Sequence, residues 1–75
     1  MKHIKSAFIL DAVIVRIMKS KKQSTTQEII TLVIDQISSQ FLPDPKMIKK
    51  RIESLIERDY LQRDSNDITK LLYLA

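Results

Sequence analysis

Apolar residues recur at three- and four-residue intervals along the first two-thirds of this chain, and the period breaks near residue 60. Ala7, Leu10, Ile14, Ile17 and Met18 form one stripe at helical spacing, which predicts a first helix from about residue 5 to residue 20 or 21. The β-branched residues Ile9, Val13, Ile14, Val15 and Ile17 pull toward a strand, but the length of the pattern and its spaced charges favour a helix. A polar break follows, and a very short strand over residues 22–24 is expected within it. Thr25 and Glu28 stand three apart as a capping box, a hydroxyl and a carboxylate that satisfy orphan amides reciprocally. They open a second helix over residues 26–39, with Ile29, Ile30, Val33, Ile34 and Ile37 inward. Phe41-Leu42-Pro43 forms a turn, Asp44 caps the third helix and Pro45 occupies its first position, where the missing amide would be unpaired anyway. That helix runs over residues 45–59 and buries Ile48, Ile52, Leu55 and Ile56.

Beyond it, residues 60–63 and 68–74 read as strands around the turn formers Asp64, Ser65, Asn66 and Asp67. The chain has no glycine, so the positive φ of a tight turn would fall to Asn66 and Asp67. An all-helical reading fails because it puts residues 64–67 in mid-helix. Three helices followed by a hairpin give an α+β fold in the winged-helix order, with residues 1–75 as a single domain.

Composition changes the picture only at the edges. A chain of 75 residues buries about 60% of its unfolded surface, so the core must be efficient. Twelve Ile, eight Leu and three Val make it aliphatic. Without Cys there is neither a disulfide nor a thiolate metal site, which suits an intracellular compartment. The lone His3 sits near the terminus as a tail residue. The opening cations and apolar run resemble a secretory leader, but Asp11 and Arg16 interrupt the run, and no stretch reaches the ~18 apolar residues of a membrane span. The formal charge of +4 suits an acidic partner.

Two clusters of cations could carry function. On the third helix, Lys46, Lys49, Lys50, Arg51 and Arg58 occupy the recognition-helix position of a DNA-binding winged helix. Glu53, Glu57 and Asp59 interrupt them, Lys49 and Glu53 are spaced as an ordinary ion pair, and the hairpin tip is acidic. Nucleic-acid binding is therefore the disfavoured alternative. At the end of the first helix, Arg16 and Lys19 are three apart on an outward face, and Lys21 and Lys22 follow. By spacing alone, Lys19 is a solvated lysine at the negative end of a helix dipole. No nucleophile–base pair, metal cluster or glycine-rich phosphate loop is present, so neither enzymatic activity nor a cofactor is expected.

The stretch Ile14-Val15-Arg16-Ile17-Met18-Lys19 resembles the C-terminal winged-helix domain of the cullins, the scaffold subunits of multisubunit RING ubiquitin ligases. The resemblance continues through Phe41-Leu42-Pro43, Ile48-Lys49-Lys50-Arg51-Ile52-Glu53, Leu55-Ile56-Glu57-Arg58-Asp59-Tyr60-Leu61 and Tyr73-Leu74-Ala75, and is nearest to the cullin that uses BTB-domain adaptors. It implies that the chain is the C-terminal fragment of a much longer scaffold working in cytoplasm and nucleus. It also implies that Lys19 accepts a ubiquitin-like modifier through an isopeptide bond (neddylation), flanked by Arg16, Met18, Lys21 and Lys22. The implied partners are a RING subunit with a charged conjugating enzyme, an acidic co-ligase for which Lys70 and Tyr73 are contact candidates, and a cullin inhibitor. Thr26 stands where the family commonly carries His, Leu71 where an aromatic is common, and residues 64–70 diverge.

Overall fold

The computed structural model describes residues 2–38 and 42–74, with side chains from residue 7 onward. In order these form α1 (Lys2–Lys21), β1 (Gln23–Thr25), α2 (Thr26–Ile37), α3 (Pro45–Glu57), β2 (Leu61–Arg63) and β3 (Lys70–Tyr73). Ser39, Phe41, Ala75 and the side chain of His3, all used in the sequence reading, lie outside the described residues. Each helix touches the other two, and the strands close one end as an antiparallel sheet of order β1-β3-β2. This is winged-helix topology.

The core joins Leu10, Val13, Ile14, Ile17 and Met18 of α1 to Ile29, Ile30, Val33 and Ile37 of α2. Ile48, Ile52 and Leu55 of α3 and the strand residues Leu61 and Leu71 complete it. The stripe on α1 is wider than the spacing suggested. It includes Val13, because α2 and α3 both cover the helix, whereas Ala7 is only half-buried. Ile34 and Ile56, expected inward, are half-buried against the cluster.

Helix α1 begins at Lys2, earlier than the expected residue 5, whereas α2 and α3 start where the sequence put them. Thr25 and Glu28 form the reciprocal capping box, and Asp44 accepts from the Lys46 amide at 2.9 Å with Pro45 at the first position. Helix α1 ends at Lys21 as expected, but α2 stops at Ile37 rather than at residue 39. Helix α3 stops at Glu57 rather than at residue 59, since Asp59 turns left-handed at φ 63°. The Asp59 amide donates to Ile56 O and that of Tyr60 to Leu55 O, the paired bonds of a Schellman cap. Tyr60 is thereby spent on the cap, and β2 begins one residue later. Lys22 ends α1 by the simpler left-handed cap at φ 72°, its amide making a single bond to Met18 O at 2.7 Å, so β1 begins at Gln23 and not at residue 22.

The hairpin also departs from expectation. Strand β3 starts at Lys70, and Ile68, assigned to it from sequence, is exposed in the connection. Neither Asn66 nor Asp67 has positive φ. Instead the Asp64 carboxylate accepts from the Asn66 amide, and that of Asp67 from the amide and hydroxyl of Thr69. Carboxylate turns of this kind bend the chain without a left-handed residue.

A charged staple links α1 to α3. Arg51 donates Nε and Nη2 to the two oxygens of Asp11, each at 2.8 Å, and Arg58 adds a bond at 3.0 Å. The Asp11 side chain keeps 15% of its surface. Burial works to raise this carboxyl, but the bonds and charges of the two arginines outweigh it and hold the group below its ordinary 3.8. The folded value is therefore the lower one. Its contribution to stability is complete above the unfolded value and is lost as the pH falls through the folded value. We expect the melting temperature to fall below about pH 4. Asp11→Asn should flatten that fall and lower stability at neutral pH by ~1–3 kcal/mol. Thermal unfolding of both proteins across an acid titration checks this.

Candidate functional site

The candidate site is the last turn of α1 and the sheet edge that receives it. Ile17 and Met18 are buried while Lys19 and Ser20 are exposed, so the core sets the rotation of the helix end. The basic residues Lys19 and Lys21 in this turn complement the negative end of the helix dipole. The chain then reverses at Lys22, whose carbonyl accepts the Tyr73 amide at 2.9 Å. Next, β1 pairs with β3 in the register Gln23 to Leu72, Ser24 to Leu71 and Thr25 to Lys70. The helix end is thus tied to the central strand within one residue of its termination.

The cations grouped here by sequence have separate fates. Arg16 turns across to α2, donating Nη2 to Gln36 Oε1 at 3.3 Å. It shares the α1–α2 groove with Ser20, Lys21 and Leu32. Lys21 also lies close enough to Glu28 to help hold that carboxyl below its ordinary range, behind the Thr25 amide and the Ser24 hydroxyl. Lys22 places Nζ 5.4 Å from the centre of the Tyr73 ring. Among the described residues, Lys19 alone of the four has no hydrogen bond, ion pair, ring contact or charge partner of this kind.

Of the two partner-contact candidates, Tyr73 is half-buried against the core on the side of Leu71, and Lys70 projects from the other face of β3 beside Asp67. The fold does not bring them together. It brings Tyr73 to Lys22 instead, a pairing across 51 positions of sequence that no local pattern signalled.

Residues 5–67 match the family model of the cullin protein neddylation domain. The chain belongs to the cullin family. It is 54% identical over 66 residues to cullin-3A of Arabidopsis thaliana, covering 88% of this chain and 9% of that protein. Identity to cullin-2 of the same plant is 48% over 68 residues, covering 91% and 9%. Cullin-3 of Dictyostelium discoideum is 47% identical over 66 residues, covering 88% and 9%. The cullin domain thus spans about a tenth of the length of the relatives it matches. A solved structure described as Dcn1(P)-Cdc53(WHB), from a dual E3 mechanism for Rub1 ligation to Cdc53, superposes with a TM-score of 0.91 at 34% identity, covering 97% of this chain and 84% of that one. In this family the domain is the neddylation domain, involved in ligation of the modifier.

The alternative surface on α3 is weaker than its sequence suggested. Lys46, Lys49 and Lys50 are exposed, but Arg51 is committed to Asp11. The expected Lys49–Glu53 pair does not form either, since Glu53 meets Arg63 of β2 across the fold. Hydrogen bonds from Thr69 keep the Asp67 carboxyl at the wing tip below its ordinary range, so an anion sits where a DNA-binding wing would meet phosphate. We expect duplex binding by the cullin domain to be non-specific, ~10⁻⁴–10⁻⁶ M or weaker, and to vanish with rising salt. Fluorescence anisotropy at two salt concentrations measures it, and sequence-selective binding at nanomolar concentration would overturn the assignment.

Proposed function

We propose that Lys19 is the acceptor of a ubiquitin-like modifier, and that this domain serves as the regulatory, modifiable end of a cullin scaffold in a RING ubiquitin ligase. The observation that carries the reading is the exposed Lys19 at the end of α1, which among the described residues lacks the partners that Arg16, Lys21 and Lys22 each have. The Rub1 ligation named for the similar Cdc53 domain supports it.

The chemistry asks little of the domain itself. A lysine ammonium ordinarily titrates near ~10.4, so a proton must leave before the nitrogen can attack. The nitrogen then adds to the carbonyl carbon of a modifier thioester. The new C–N bond forms, the C–S bond breaks, and the sulfur of the conjugating enzyme leaves as a thiolate with the pair of electrons, becoming a thiol with the second proton that the nitrogen gives up. A RING subunit delivers that enzyme, and an acidic co-ligase is drawn by the basic helix end. The domain contributes position, which converts an encounter into a near-unimolecular step. On the same resemblance, the modification activates the ligase in cytoplasm and nucleus, BTB-domain adaptors select its substrates, and a cullin inhibitor binds the unmodified form.

Arg keeps the charge and the helix propensity of Lys, so Lys19→Arg should leave folding unchanged and abolish the single adduct. The assay is a reconstituted reaction with the full-length scaffold and its RING subunit, read by mass spectrometry of diglycine remnants. Persistence of the adduct, or its transfer to Lys21 or Lys22 at equal yield, would refute the proposal.

A further inference from the structure

Three lysines lie within four positions at this helix end, yet the proposal above uses one of them. An exposed amine two or three residues away would compete if it could reach the same point. Had α1 continued one more residue in helical geometry, Lys22 would stand three positions beyond Lys19 on the same face. It does not, because Lys22 is left-handed at φ 72°. The reversal is fixed from both sides: its amide donates to Met18 O at 2.7 Å, and its carbonyl accepts the Tyr73 amide at 2.9 Å. The side chain is thereby aimed at β3, where the ammonium lies 5.4 Å from the Tyr73 ring centre.

We infer that Tyr73 is a specificity-determining residue for the modification: it holds the Lys22 ammonium on its ring and so keeps that amine from competing with Lys19. The inference rests on Lys19 being the acceptor and adds the reason why its neighbour is not one. The ring acts on the amine and the peptide bond on the backbone. Removing the ring therefore frees the ammonium while the main-chain tie between Tyr73 and Lys22 stays. Lys21 is disposed of differently, in the α1–α2 groove and near the carboxylate of Glu28.

The test uses the full-length scaffold with its RING subunit and conjugating enzyme, and maps the adduct by mass spectrometry. Wild type should carry the modifier on Lys19. Tyr73→Leu should raise the share on Lys22 at least about twofold, the occupancy that an exposed cation–ring contact controls. Tyr73→Phe retains the ring and should restore the wild-type pattern, which a merely structural role for the phenol would not require. A folded Tyr73→Leu protein with an unchanged Lys22 share overturns the inference. Tyr73 also packs on the core, so a second measurement needs no variant: brief reductive methylation of the wild-type scaffold should label Lys22 about two- to fivefold more slowly than Lys19, and equal rates overturn the inference. The two readings fail separately. A wild-type adduct on some other lysine sinks the acceptor assignment, whereas an adduct on Lys19 with Lys22 freely reactive sinks only the role of Tyr73.

Discussion

A strand of three residues holds this domain together. Gln23–Thr25 lies between the two helices that flank it in sequence, and by pairing with Lys70–Tyr73 it ties the end of α1 and the start of α2 to the far end of the chain. The tie continues past the strand, since the Thr26 amide donates to Thr69 O at 2.9 Å. Ser24, in its middle, is buried, and its hydroxyl is satisfied by Glu28, the same carboxylate that closes the helix cap. Sheet pairing, capping and the placement of the basic helix end are consequently one structural event. A helical bundle of this size without that closure would leave the last turn of α1 to fray into water.

The parts of this arrangement that depend on local periodicity were legible in the sequence. The three helices, the Thr25–Glu28 box and the Asp44-Pro45 start all follow from residue spacings of three or four, which a linear pattern displays directly. The exposed position of Lys19 was legible for the same reason, being fixed by the buried Ile17 and Met18 beside it. What the linear pattern hid were contacts between distant residues and backbone states usually signalled by glycine. Lys22 and Asp59 take left-handed conformations that elsewhere fall to Gly or Asn, and nothing in their chemistry announces it. Each shifted a predicted boundary by one or two residues.

The charged residues show a second limit of pattern reading. Arg51 looked like part of an exposed basic face, because helical spacing places it with cations of α3. Its partner is Asp11, forty positions earlier. The same pairing removes from the recognition helix the two arginines best suited to phosphate, Arg51 and Arg58, and turns them to holding helices together. A fold widely used to read DNA thus has its arginines turned to packing, with the Asp67 carboxylate at the wing tip reinforcing the change.

The length of α1 has a mechanical consequence. At 20 residues it is the longest element of a body measuring 36 × 22 × 20 Å, and Lys19 rides near one end of it. From Lys2 to Lys19 the helix rises ~25 Å, so a pivot of ~20° about its first turn would sweep the amine through ~9 Å, with the rest of the domain carried along as a rigid load. Such a lever converts a small change in angle at one end into the difference between reach and miss at the other.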